Sequence, residues 1–350
     1  MQPNDLPSHG GDRHWALQTA GCTLQELIDF SANINPLGPP AAVLDAWQES
    51  TEMLLHYPDP ECRELRRALG KHLEVDPEGI LCGNGEAELL TWAGRECAQH
   101  GTTILPVPTF GDHTRALAAF GARVHKVALN EDFSLPPLPD GDALLLANPH
   151  NPSGKLYSAS ELLVLAERFA LVVLDEAFMD FIEHSNEHSL IRRVQQCTHL
   201  VVLRSMTKFY SLPGLRLGYA VLDPELARRW QGWRDPWSVN GLAQHLGVIA
   251  LSDVDFHTRT RTWLACARAR LVEELAALPG LEVLPGAANF LLVRTKVSAV
   301  YLQRELLSRH RLFIRHCTSY EGMGERYFRV AVRSDADNAR LVSALAEVLG

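Results

Sequence analysis

Between residues 80 and 222, short apolar runs alternate with stretches of helical character, and this alternation leaves the chain few possible folds. The candidate strands are 80–82, 103–106, 124–127, 143–147, 171–174, 200–203 and 218–221. Runs that are apolar on both faces and separated by helices predict a mainly parallel sheet covered on both sides. Ligands of such sheets bind beyond the carboxyl ends of the strands. The residues just after each run are therefore the ones to inspect. Gly83-Asn84-Gly85-Glu86 follows the first, Asn148 the fourth, Asp175 the fifth and residues 205–208 the sixth.

The last third has a different pattern. A helical region runs from about 236 toward 278, followed by strands at 280–283 and 290–293, a helix at 298–309, a strand at 327–332 and a final Ala/Leu helix. This predicts a second, smaller α/β domain, as expected for 350 residues. The expected division is an N-terminal segment, 1–40, packing with the small domain, a large domain at 41–250 and the small domain at 251–350.

Composition removes several function classes. The net charge of −9 opposes a nucleic-acid partner. The seven cysteines are scattered and contain no C-x-x-C pair, which argues against a disulfide framework or a zinc cluster and favours a reducing compartment. The apolar runs are too short to span a bilayer. Residues 1–15 are polar, without the apolar core of a secretory signal. The expectation is a cytoplasmic protein with no metal, no membrane partner and no nucleic-acid partner.

The most informative stretch is Ser205-Met206-Thr207-Lys208, continuing through Pro213-Gly214-Leu215-Arg216-Leu217-Gly218. A lysine just past a buried strand is desolvated, which favours the neutral, nucleophilic amine. Ser205 and Thr207 offer hydroxyls, and Arg216 a guanidinium fork, to a phosphate dianion. This stretch resembles the lysine signature of class-I/II aminotransferases. The resemblance implies a fold-type-I, aspartate-aminotransferase-like α/β fold, with pyridoxal 5′-phosphate anchored on Lys208.

Other segments match the same family in order. By the resemblance, Asp175 in Leu174-Asp175-Glu176-Ala177-Phe178 is the anion beside the cofactor's pyridine nitrogen; taken alone it reads more readily as a helix cap. Phe178 stands where the family commonly has a tyrosine that donates to the cofactor's ring oxygen. Asn148-Pro149-His150-Asn151-Pro152-Ser153-Gly154 is a stiff turn on which Asn151 would make that donation. Gly85 and Glu86 match the phosphate-cradling loop at a helix start. Phe110 matches the ring that stacks on the cofactor, with a plain core role as the alternative. Tyr57, in His56-Tyr57-Pro58-Asp59, matches the tyrosine that reaches the cofactor phosphate of a neighbouring subunit, which implies a homodimer with a shared site. Arg329 matches the arginine that clamps the substrate carboxylate; otherwise it is a solvated strand residue, as Arg333 is expected to be.

Three further stretches narrow the substrate. They are Ser8-His9-Gly10-Gly11, then Asp29-Phe30-Ser31-Ala32-Asn33-Ile34-Asn35-Pro36-Leu37-Gly38, and Leu312-Phe313-Ile314-Arg315-His316-Cys317. They resemble the L-threonine O-3-phosphate decarboxylases of cobalamin biosynthesis, close relatives of the histidinol-phosphate aminotransferases. Asp12 stands where asparagine is usual in that subgroup, and His150 where asparagine is common. Phe178 fits this subgroup better than aminotransferases at large. The resemblance implies that His9, Gly10, Asn33, Asn151, Arg315 and Arg329 contact a small phosphorylated amino acid. Without it, His9 is a terminal histidine and Arg315 a solvated arginine. The implied reaction is decarboxylation of L-threonine O-3-phosphate to (R)-1-aminopropan-2-yl phosphate and CO2. The alternatives are a histidinol-phosphate-type aminotransferase and a non-enzymatic, aminotransferase-like regulator.

Overall fold

The computed structural model describes Pro7 and residues 9–350, so Ser8 of the N-terminal motif lies outside the described residues. Among these residues the strands form a seven-stranded, a four-stranded and a two-stranded sheet. The large sheet has the spatial order Ile80–Asn84, Leu217–Val221, Leu200–Ser205, Leu171–Asp175, Ala143–Ala147, Thr102–Val107, Arg123–Ala128. Leu217–Val221 runs antiparallel to both its neighbours, and the other pairings are parallel.

Side chains alternate between two cores, as a strand buried on both faces requires. Leu144, Leu146, Val172, Leu174 and Val202 enter one apolar cluster. Leu145, Leu171, Val173, Val201 and Leu203 enter another, against Leu89, Ala93 and Cys97 of the helix Glu86–His100. The run at 124–127 departs from the expected double burial. It belongs to an exposed edge strand, Arg123–Ala128, that among the described residues pairs only with Thr102–Val107. Its Arg123, His125 and Lys126 put charge and polarity on a sheet edge, which discourages pairing with another chain.

The helical region expected from 236 is two helices, Gly241–Ser252 and Val254–Ala276. Asp253 breaks it: its backbone leaves the helical region, and its carboxylate accepts from the Phe256 amide at 2.9 Å, capping the second helix as it ends the first.

The four-stranded sheet is antiparallel, in the order Arg315–His316, Tyr327–Ala331, Phe290–Thr295, Leu281–Val283. The N-terminal stretch packs beside it. Ile28–Asp29 pairs in parallel with Leu312–Phe313, and Ala16 and Ala20 of the helix Arg13–Ala20 pack on Leu307 and Phe313. The chain then crosses toward the large sheet. The Phe30 carbonyl accepts from Ala331 N, and Asn35 N donates to the Lys208 carbonyl at 3.0 Å. Residues 28–35 therefore span the gap between the two sheets.

Candidate active site

A cleft of about 620 Å³ opens at the carboxyl ends of the parallel strands, between the two sheets. His9, Gly10, Asn33, Glu86, Phe110, Asn151, Asp175, Thr207, Lys208, Arg216, Arg315 and Arg329 all line it. Residues distant in sequence meet there because most flank a strand of the large sheet or sit on the facing small sheet, while His9, Gly10 and Asn33 come from the N-terminal stretch.

Lys208 stands three residues beyond the end of Leu200–Ser205, with its Nζ 3.3 Å from Ser205 Oγ. Ser205 Oγ and Thr207 Oγ1 are 2.8 Å apart. Burial lowers the Lys208 pKa against the opposing pull of Glu86 and Asp175, so the neutral amine is more accessible than in water. Across from it, Gly85 begins the helix Glu86–His100 with φ +76. A Cβ at Gly85 would meet the Arg216 guanidinium at 2.4 Å. A Cβ at Gly218 would lie 2.4 Å from the Glu86 amide nitrogen and 2.9 Å from the Arg204 carbonyl oxygen. The two glycines let a helix N-terminus, an arginine and two hydroxyls crowd round one point, a donor set suited to a phosphate.

Asp175 ends the buried strand Leu171–Asp175 and is 7% exposed. Burial pushes its carboxyl upward, but the hydrogen bond and charge of His113 outweigh it and hold the pKa at about 2. His113 Nε2 lies 2.8 Å from Asp175 Oδ2, and its Nδ1 is 2.7 Å from Thr109 Oγ1. Glu86 behaves oppositely. Burial and the adjacent Asp175 push its pKa well up, against the opposing pull of Lys208. The Glu86 side chain thus turns toward Asp175, while its backbone forms the helix start.

At the other end of the cleft, Arg315 and Arg329 occupy directly opposed positions on antiparallel strands and are 2% and 6% exposed. Neither is the solvated arginine that its residue type alone suggests. Arg329 Nη1 donates to Asn151 Oδ1 at 2.6 Å and to Tyr320 Oη at 3.2 Å, and Nη2 donates to the Ser31 carbonyl at 3.1 Å. Arg315 Nη1 donates to the Pro7 carbonyl at 2.7 Å, and its guanidinium lies 5.7 Å from the Tyr320 ring. His9 stands edge-on to Phe110, with ring centres 6.1 Å apart. Arg333 is half-buried rather than solvated: it pairs with Asp337 at 3.0 Å and donates to the Asp29 carbonyl at 3.2 Å.

Tyr57 is not brought to this cleft. It is 80% exposed and stacks on Trp237 with ring centres 4.6 Å apart, beside a separate hollow. Conversely, the sequence reading missed His113 and Tyr320. His113 sits three residues after Phe110 on the helix Gly111–Ala119, a spacing that could have pointed to it. Tyr320 lies on a loop, where no periodicity marks it.

The chain as a whole is similar to known proteins. The threonine-phosphate decarboxylase of Salmonella typhimurium is 41% identical, over 98% of this chain and 96% of its own length. The crystal structure of L-threonine-O-3-phosphate decarboxylase from Porphyromonas gingivalis superposes with a TM-score of 0.83 at 27% identity, covering 91% of this chain and 98% of that one. Histidinol-phosphate aminotransferase from Sinorhizobium meliloti, solved in complex with pyridoxal-5′-phosphate, gives a TM-score of 0.85 at 25% identity, covering 96% and 94%. The profile of the family Aminotransferase class I and II matches residues 25–345. The chain belongs to the aminotransferase class I and II family.

Proposed function

We propose that the cleft binds pyridoxal 5′-phosphate and that the protein decarboxylates L-threonine O-3-phosphate to (R)-1-aminopropan-2-yl phosphate and CO2, a step of cobalamin biosynthesis. The observation that carries the substrate class is the opposition of Arg315 and Arg329. Like charges directly across an antiparallel pair repel, and burial raises the cost. A ligand with a carboxylate and a phosphate neutralises both. The 41% identity to the Salmonella decarboxylase supports the same substrate.

The residues present fit the cofactor. Among the described residues, Glu86 Oε1, Asn33 Oδ1 and Arg329 Nε are buried in this cleft without a hydrogen-bond partner, which is costly unless a ligand or water satisfies them. Lys208 would anchor the cofactor. Ser205, Thr207, Arg216 and the amides after Gly85 would hold its phosphate, Phe110 would stack on the ring, and Asp175 would pair with the ring nitrogen. Asn151 would donate to the ring oxygen. Bound there, pyridoxal phosphate supplies a sink for the electron pair left when a bond to the substrate Cα breaks.

The chain's own residues do the rest. Asp175, anionic down to about pH 2, keeps a proton on its partner nitrogen. Lys208 serves first as nucleophile and then carries a proton to Cα. Arg329 with Asn33 binds the carboxylate, and Arg315, His9 and Gly10 bind the phosphate. By fixing both ends, these residues set which Cα bond is aligned for cleavage. Tyr57, on an exposed apolar face with Leu54, Leu55 and Trp237, would reach the phosphate site of a second copy in a homodimer. The division at 1–40, 41–250 and 251–350 and a cytoplasmic location belong to the same proposal. No helix among the described residues is long and apolar enough to cross a membrane.

The test is to give the holoprotein L-threonine O-3-phosphate and measure CO2 and the amino phosphate. A 2-oxo product without CO2 would instead favour an aminotransferase. Lys208→Ala is expected to abolish turnover, and a fully active variant would refute the scheme.

A further inference from the structure

Asn151 has its carbonyl end fixed by two donors. Arg329 Nη1 lies 2.6 Å from Asn151 Oδ1, and Tyr320 Oη lies 3.1 Å from the same atom. An arginine can only donate, so the amide atom facing it must be the oxygen. The NH2 end is then turned away from Arg329 and has no hydrogen-bond partner among the described residues, while Asn151 lines the cleft. Tyr320 closes the triangle by accepting from Arg329 Nη1 at 3.2 Å. It is 6% exposed, and its ring also lies against the Arg315 guanidinium.

Arg329 has two duties that compete. It is placed to bind the substrate carboxylate, and its Nη1 also holds Asn151. A carboxylate draws the guanidinium's donors toward itself, because charge-assisted hydrogen bonds outweigh neutral ones. If Arg329 alone held the amide, substrate binding would release Asn151 when its orientation matters most. Phe178 has no hydroxyl, so it cannot take over donation to a ring oxygen.

We propose that Tyr320 is a positioning residue that keeps Asn151 Oδ1 engaged while Arg329 binds substrate, so that the Asn151 NH2 stays directed at the cofactor's ring oxygen. The assignment rests on the cofactor reading above. A donor to that oxygen stabilises its anionic form and weakens the oxygen's hold on the proton it shares with the Lys208 nitrogen. Loss of the donor therefore raises the pH at which that proton leaves.

The experiment is a pH titration of the visible absorption band of the holoprotein, saturated with the amine-free carboxylate 3-hydroxybutyrate O-phosphate so that Arg329 is engaged, for wild type, Tyr320→Phe, Asn151→Ala and the double variant. Tyr320→Phe removes one hydroxyl and keeps the ring, and far-UV circular dichroism checks the fold. The midpoint is expected to rise by about half a unit in Tyr320→Phe and by about one unit in Asn151→Ala, the scale of one lost hydrogen bond. The double variant is expected to match Asn151→Ala, because Tyr320 acts through Asn151. With phosphothreonine, Tyr320→Phe should lower kcat about threefold to tenfold with KM nearly unchanged, since the remaining Arg329 donors still bind the carboxylate. A normal wild-type band with an unmoved Tyr320→Phe midpoint, or additive shifts in the double variant, would overturn the role of Tyr320 alone. A wild type that shows no visible band with added cofactor would overturn the cofactor reading and this inference with it.

Discussion

His113 Nε2 sits 2.8 Å from Asp175 Oδ2, with both side chains buried beneath the cleft. The contact holds Asp175 anionic against its own burial. Replacing His113 with leucine removes the hydrogen bond and the charge, so the Asp175 pKa should climb from about 2 toward or above the usual carboxylate range. We expect kcat to fall about tenfold or more, the scale of a charge-assisted hydrogen bond, and the acid limb of its pH profile to move upward. A pH–rate profile of His113→Leu with an unmoved acid limb would show that Asp175 does not depend on His113.

The two opposed arginines separate by substrate. Arg315→Met should raise KM for phosphothreonine about 10- to 100-fold while leaving binding of unphosphorylated threonine near wild type. Arg329→Met should weaken both. Because Arg315→Met also removes a buried like-charge contact, the ligand-free variant should melt at or above the wild-type temperature. Equal losses for both ligands in Arg315→Met would contradict a phosphate-binding role.

Acid stability should depend on His150. Its Nε2 lies 2.8 Å from the Pro108 carbonyl oxygen and its Nδ1 2.7 Å from Ser153 Oγ, a pattern that a neutral ring satisfies. Burial lowers its pKa to about 4 from the ordinary 6.5. The unfolded chain therefore binds the extra proton first. The stability from a neutral His150 is present above pH 6.5 and is lost as pH falls toward about 4. His150→Asn should flatten the decline of melting temperature across this window, and an unchanged slope would count against it.

Gly218 tests the phosphate corner. An alanine there would press on the Glu86 amide nitrogen and the Arg204 carbonyl oxygen, both backbone atoms with little room to yield. We expect Gly218→Ala to cost about 1–3 kcal/mol of stability and to weaken cofactor retention, read by thermal melting and by dialysis of the holoprotein. A variant that melts and retains cofactor like wild type would mean the corner relaxes freely.

Much of this architecture was legible in the sequence because strand ends announce themselves. Lys208 and Asp175 each follow a run of apolar residues, so their places at the carboxyl edge follow from periodicity. The exposure of the expected strand at Arg123–Ala128 and the break at Asp253 were not legible because burial and helix termination depend on neighbours that periodicity does not contain. The opposition of Arg315 and Arg329 depends on strand register, which was not available from one chain read alone. His113 and Tyr320 act through other side chains, and their residue types fit ordinary core and loop positions equally well.

The route of residues 28–35 between the two sheets also bears on how the protein is made. The phosphate corner and Lys208 are complete once the strand Leu217–Val221 has left the ribosome. Ile28–Asp29 must wait for Leu312–Phe313, and Arg329 emerges later still, on Tyr327–Ala331. During synthesis the strand Ile28–Asp29 therefore stays without its partner until about 280 further residues have been made, so this tie between the sheets is among the late contacts to form.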